Sequence, residues 1–214
     1  MNTRQNMVNG LLAIAGQASP GGTLVELDYL ESSGVQWIDT RVNCGGDVDF
    51  SVDVMRHASS AWGTPLGGRR GTSGSYAYGN GVMCSGAGTL QYNYGSAASN
   101  GTLPVNERHV LSMTGNVAYY DGVQQGVAAT QPGTAFGYAK PIYLFVMNQD
   151  SGLVYPFTGR IYAASITKSG VLVRDFVPML RLEDSKPGMY DRVSKRFFTN
   201  IGTGDDFAYP QPGT

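Results

Sequence analysis

Charge is scarce in this chain: only 14 % of its 214 residues are Asp, Glu, Lys or Arg, and the formal net charge is −1. That balance excludes the broad basic footprint with which a domain holds nucleic acid or an anionic bilayer. Histidine occurs only as His57 and His109. They lie far apart in the sequence, and no G-x-S-x-G elbow accompanies them, so no nucleophile–base pair is legible. Cys44 and Cys84 are the only cysteines and stand outside any CxxC or His–Cys spacing, which excludes a zinc site of the usual kind. Sequence leaves open whether they are bridged or are separate thiols. Gly67-Gly68 lacks the Lys-Ser/Thr of a phosphate loop. No apolar run approaches the roughly 20 residues of a membrane span.

What is abundant is glycine, at 30 residues, and tyrosine, at 13. Together they describe a turn-rich, aromatic-rich β protein, and the length suits one domain with a sizeable core. Asp47 to Met55 alternates strictly, with Val48, Phe50, Val52 and Val54 predicted inward and Asp47, Asp49, Ser51 and Asp53 outward. His109 to Tyr120 reads as a hairpin turning at Thr114-Gly115-Asn116, with the next tight turn at Asp121-Gly122. Pro141 to Met147 is a continuous apolar run, expected of one strand buried on both sides. Tyr155 to Pro178 reads as two long strands joined at Lys168-Ser169-Gly170. In the first, Ile161, Ala163, Ser165 and Thr167 fall on one face, and Tyr162, Ala164, Ile166 and Lys168 on the other. Many short strands with regular turn signals predict two packed antiparallel sheets.

Two stretches carry a family resemblance. FTGRIYAASITKSGVLVRDFVPM followed by GMYDRVSKRFFTNIGTGDDF resembles the C-terminal half of laminin-G/concanavalin-A-like jelly-roll domains. LVELDYLESSGVQWIDTRV (Leu24–Val42) resembles their first strands, so the likeness spans roughly Leu24 to Phe207. Such domains are found in phage tail and virion proteins and in surface proteins of gut bacteria. The resemblance implies an all-β, two-sheet antiparallel jelly-roll sandwich over residues 24–214. Arg174 with Asp175, and Asp191 with Arg192, belong to these blocks and are expected as structural ion pairs or hydrogen-bonding anchors.

Residues 1–23 differ from the rest. A short apolar segment, Met7 to Ala15, precedes Gly16, Ser19, Pro20, Gly21 and Gly22. We read it as an N-terminal arm that docks on a partner. A signal peptide is one alternative, with Arg4 before the apolar segment and Ala18 at a cleavage site, although Asn9 and Gly10 interrupt it, and a leader without a role is the other.

Three constellations deserve chemistry. Glu26-Leu27-Asp28-Tyr29-Leu30-Glu31 matches the E-x-D-x-x-E pattern of jelly-roll β-glucanases, where retaining chemistry needs two carboxyls about 5–5.5 Å apart. In a regular strand Glu31 would point away from Glu26 and Asp28, so a bulge would be required. Outward-facing charge on an early strand is the favoured reading. Calcium takes six to eight oxygens; Asn43, Asp47 and Asp49 form one cluster, and Asn148, Gln149 and Asp150 another, both lacking EF-hand spacing. Finally, the middle of the chain holds Trp62, Tyr76, Tyr78, Asn80, Tyr92, Asn93 and Tyr94. Each tyrosine pair is two apart and shares a strand face. Sugars stack C–H faces on such rings while Asn groups meet their hydroxyls. The alternative is that the tyrosines are half-buried sheet residues. Arg69 and Arg70 suit an acidic sugar or a solvated turn.

The expected role is non-catalytic: a virion-associated protein (tail, fibre or capsid decoration) or a cell-surface protein, located on a virion or outside the cell. The arm would attach to a virion or surface scaffold, the sandwich would adhere to a surface glycan, and the chain would act as a homo-oligomer or within a larger assembly. No cofactor is expected beyond the calcium alternative. A purely structural virion component without ligand and a glucanase using Glu26, Asp28 and Glu31 are the other readings.

Overall fold

In the computed structural model, which describes residues 22–70, 78–94, 96–126 and 140–210, the alternating stretches become strands. In chain order they are β1 (Leu24–Glu26), β2 (Leu30–Ser33), β3 (Ile38–Asn43), β4 (Val48–Arg56), β5 (Gly63–Arg70) and β6 (Tyr78–Cys84). There follow β7 (Thr89–Tyr94), β8 (Ser96–Thr102), β9 (Arg108–Thr114), β10 (Val117–Tyr120), β11 (Val123–Gln125) and β12 (Pro141–Leu144). The last are β13 (Met147–Gln149), β14 (Gly152–Val154), β15 (Thr158–Lys168), β16 (Val171–Arg181), β17 (Lys186–Asp191) and β18 (Arg196–Thr199). The larger sheet runs β11-β10-β9-β4-β15-β16-β17-β18, with β1 also on β16 and β2 on β15. The smaller runs β14-β13-β5-β6-β7-β8, and β12 joins β3 to β5. Pairing is antiparallel apart from β13 on β5. The fold is therefore the expected all-β two-sheet sandwich. Among the described residues no helix is long and apolar enough to cross a membrane.

The inward alternation of β4 holds. Val48, Phe50, Val52 and Val54 are buried and share one core with Leu66, Val82, Leu90 and Tyr92 of the facing sheet. Removing those apolar surfaces from water is the main drive for closing the two sheets on each other. The long hairpin turns where predicted. Ser169 and Gly170 take φ of 51° and 76°, the left-handed pair that a two-residue loop needs to match strand twist.

Two strand readings need correction. On β15 the register shifts between Ile161 and Ala163, so an extra residue sits at Tyr162-Ala163. Such a bulge exchanges the faces beyond it. Ile161 consequently shares the core with Ala164 and Ile166, while Ala163, Ser165 and Thr167 are half-buried on the outside. The apolar run from Pro141 to Met147 is not one strand. Phe145 adopts φ of 68°, and the chain breaks there into β12 and β13. Tertiary contacts hold this conformation. Phe145 donates its N–H to Pro65 (2.8 Å) and accepts from Phe157 (2.8 Å), and its ring lies 4.8 Å from that of Phe207.

Residues 1–21 of the expected arm lie outside the described residues. The chain is already fastened at Thr23, whose N–H donates to Glu183 and whose carbonyl accepts from Leu182 at 3.0 Å. The cysteines are free and buried. Cys44 donates to Gly68 O (3.0 Å) and Cys84 to Gly63 O (3.6 Å), at opposite ends of β5. Burial pushes the Cys44 thiol up to about 12 and that of Cys84 up to about 11.

Candidate functional site

The face of β7 on which each residue lies decides what the tyrosine-rich middle can do. Leu90 is fully buried, and it is in phase with Tyr92 and Tyr94. All three point into the sandwich. The Tyr92 hydroxyl donates to Tyr119 O at 3.0 Å, and that of Tyr94 to Gly46 O at 2.6 Å. Burial raises both phenols. Asn80 is likewise internal: its amide N–H donates to Val48 O (3.3 Å) and its oxygen accepts from Gly45 N–H (2.8 Å). These three expected sugar ligands are therefore ties between the two sheets, which corrects the picture of an exposed aromatic face. Trp62 is half-buried in the loop before β5. Tyr76 and the side chain of Tyr78 lie outside the described residues.

Asn93 is different. Being out of phase with Leu90, it faces away from the core. It lies opposite Gly81, which lies opposite Gly67, which lies opposite Tyr143. Directly opposed residues share a face, so the outer side of the smaller sheet carries the row Asn93–Gly81–Gly67–Tyr143. Its two middle positions are glycines because neighbouring groups already fill the space that a Cβ would take. A Cβ on Gly81 would sit 2.7 Å from the Gly67 Cα, and one on Gly67 would sit 2.8 Å from Met147 Cε.

Arg69 reaches across this glycine floor. Its Nε donates to Gln149 Oε1 at 2.8 Å, one Nη lies 3.8 Å from Met83 Sδ, and the guanidinium is 5.1 Å from the centre of the Tyr155 ring. Gln149 is held in turn by a bond to Ser151 Oγ at 3.2 Å. Gln91, two residues before Asn93, shares its face and stays partly exposed. Asn93 is 0 % exposed, yet neither the nitrogen nor the oxygen of its amide has a partner. A buried amide in that state costs on the order of 1–3 kcal/mol. The floor is thus bordered by amides, a guanidinium and two phenol rings, with one amide uncommitted. Such a set offers donors and acceptors to hydroxyls and a flat ring to C–H groups.

Sequence reasoning named Asn93 but missed Gln91, Gln149, Tyr143 and Tyr155, and left Arg69 between an acidic sugar and a solvated turn. The phase of Leu90 was the available signal for β7. Nothing local links Arg69 to Gln149, which are 80 positions apart.

The remaining constellations are spread or engaged. Glu26 lies on β1 against β16 and Glu31 on β2 against β15, with Asp28 in the bend between them. The Glu31 carboxylate accepts from Arg160 Nε at 2.5 Å and lies 3.4 Å from His57 Nε2. Burial raises its pKa, but Arg160 and His57 outweigh that and hold it below the ordinary carboxylate value. In the first oxygen cluster Asp47 accepts from Ser169 Oγ (2.5 Å) and Asp49 from Gly115 N–H (2.6 Å), and Asn43 is exposed. In the second, Asn148 donates to Pro141 O (2.9 Å), and Asp150 stands 3.4 Å from Lys140 and 3.9 Å from Arg70. Among the described residues no three His, Cys, Asp or Glu side chains converge on a metal position. The family-block charges pair crosswise: Arg174 with Asp191 at 3.6 Å and Arg192 with Asp175 at 2.8 Å.

No protein-family model matches the chain, and no curated protein matches it in sequence. Solved structures do match. A Bacteroides ovatus protein whose name proposes carbohydrate binding superposes with a TM-score of 0.51 at 12 % identity, over 83 % of this chain and 59 % of that one. This chain therefore spans about three fifths of that neighbour's length. A Trypanosoma rangeli sialidase gives 0.42 at 11 % identity, over 67 % of this chain and 27 % of the sialidase. A heptameric pentraxin of Limulus polyphemus gives 0.40 at 8 %, over 69 % and 78 %. At these identities the Bacteroides likeness shows the shared sandwich fold and no more.

Proposed function

We propose that this chain is a non-catalytic carbohydrate-binding module that works outside a cell or on a virion, and that its site is the glycine-floored outer face of the smaller sheet. The observation that carries the reading is Asn93. A buried amide with two unmet hydrogen-bonding groups costs the fold stability, and a sugar hydroxyl that both donates and accepts would satisfy it on displacing what covers it. Tyr143 supplies a ring for the C–H face, and Gln91 and Arg69 supply further donors. The name of the Bacteroides neighbour supports the same class of ligand. The non-catalytic part rests on Glu31, whose ion pairs keep it charged, whereas a general acid must hold its proton at working pH. In this reading residues 1–23 form the segment that joins the sandwich to a virion or surface scaffold.

A glycan array probed with the full chain and with Asn93→Leu tests the proposal. Binding by the wild type that disappears in a folded Asn93→Leu variant is the expected result. Equal binding by both would move the site elsewhere. A blank array would leave the sandwich as a structural part of its assembly.

A further inference from the structure

The smaller sheet is nearly free of acid. Residues 54–106 contain no Asp or Glu, and neither do residues 122–149. Those two stretches supply β5, β6, β7, β8, β12 and β13. Among the strands of this sheet the acid that remains is Asp39 on β3, whose carboxylate accepts from the Arg41 N–H at 2.7 Å. Asp150, in the turn after β13, stands near both Lys140 and Arg70. Positive charge therefore outweighs negative on this side of the molecule, although the whole chain carries −1.

Arg69 is where that surplus meets the candidate site. Its partners are the neutral Gln149 oxygen, the Met83 thioether and the Tyr155 ring, and no carboxylate is among them. A guanidinium offers five N–H groups in a planar fork. An amide oxygen, a thioether and a ring face leave part of that fork unsatisfied by any strong acceptor. Arg69 itself is only partly buried, so part of its fork faces solvent. An anionic oxygen pair fits such a fork in bidentate fashion; the acid that shares the row is Asp39, opposite Tyr143 at its far end and already bonded to the Arg41 N–H.

We infer that the ligand of this face is an acidic sugar, one bearing a carboxylate or a sulfate, and that Arg69 is its charge partner while Asn93 holds a neighbouring hydroxyl. This rests on the carbohydrate-binding reading and narrows it to one chemical class. Arg69 then sets specificity and Asn93 contributes to binding of any sugar.

The experiment uses the full chain on an array in which each acidic oligosaccharide stands beside its own neutral form. Oligogalacturonates are paired with their methyl esters, and sulfated galactans with their desulfated forms. The expected outcome is a preference of about tenfold or more for the charged members, the size of one charge-assisted hydrogen bond. In Arg69→Gln this preference disappears while weak binding of neutral forms persists. Arg69→Lys, which keeps the charge but loses the fork, retains part of it. Raising salt from about 50 to 500 mM weakens only the charged members, because screening shortens the reach of the interaction. Which charged series binds separates carboxylate from sulfate. Neutral forms bound as well as their charged counterparts would overturn the acidic-sugar inference and leave carbohydrate binding standing. A blank array from a folded protein would overturn both.

Discussion

The outer faces of the two sheets use arginine in opposite ways. On the larger sheet, Arg108 donates twice to Asp53 at 2.9 and 2.7 Å while its guanidinium lies 4.0 Å from the centre of the Tyr162 ring. Arg160 donates to Glu31 and lies 4.1 Å from the Tyr29 ring centre, and the two rings meet edge-on at 5.6 Å. Arg192 pairs with Asp175. Each of these charges is answered within the fold, and each ring face is already occupied by a cation. On the smaller sheet, Arg69 pairs with no carboxylate among the described residues, and the buried Asn93 amide has no hydrogen-bond partner. A satisfied polar group stabilises; an unsatisfied buried one costs stability and calls for an explanation, of which completion by another molecule is one. In the proposed carbohydrate-binding reading, the larger sheet's outer face serves the fold and the smaller sheet's serves recognition.

That contrast can be sharpened by substitution. The largest effect is expected at Asp191, the most engaged polar group of the larger sheet. Fully buried, it accepts from the N–H groups of Asp175, Val193 and Ser194 and from the Ser194 hydroxyl, and lies 3.6 Å from Arg174. Asp191→Ala should cost about 3–5 kcal/mol in urea unfolding, since it removes the carboxylate beside Arg174 and leaves three backbone donors without their acceptor at once. A loss below about 1 kcal/mol would show that the turn finds other partners.

Asn93→Leu should move the other way. Replacing an unpartnered buried amide with an apolar group of similar size is expected to leave stability unchanged or raise it by about 1 kcal/mol, read as a higher Tm. A clear drop in Tm would mean that the amide serves the fold, and the contrast between the faces would fail at its central residue.

The smallest effect concerns acid. The folded pKa of Glu31 lies below its ordinary 4.5. Its contribution is therefore present above about that pH and fades as pH falls through the lowered folded value. Glu31→Gln should cost about 0.2–1 kcal/mol at pH 7, because the pair is partly exposed, and should flatten the loss of stability below pH 4.5. Parallel acid limbs in the two proteins would show that Glu31 is not coupled to folding.

Much of the fold was legible because it is local. The alternation of Val48, Phe50, Val52 and Val54 needs no knowledge of the partner sheet, and Ser169-Gly170 announces its own turn. What failed was decided at a distance. The bulge at Tyr162-Ala163 is invisible in a period-2 pattern, since both faces of that stretch hold small or apolar residues. Phe145 bends the chain because Pro65 and Phe157 bind its backbone. On β7 the tyrosines suggested a ligand face, yet the buried Leu90 in their own phase marked that side as core. The candidate site joins Arg69, Asn93, Tyr143 and Gln149 from four strands, and its floor consists of two glycines, residues that sequence reading treats as turns.

The two thiols have a practical consequence. Burial holds the pKa of both Cys44 and Cys84 well above the ordinary thiol range, so at pH 7 both stay protonated. Maleimides and iodoacetamides attack the thiolate, so the native chain should be almost inert to them while folded. Val123, 64 % exposed on the outermost strand of the larger sheet, offers a position for one added cysteine. Val123→Cys would then take up a single fluorophore or tether on the opposite sheet from Arg69 and Asn93, without either native cysteine having to be removed.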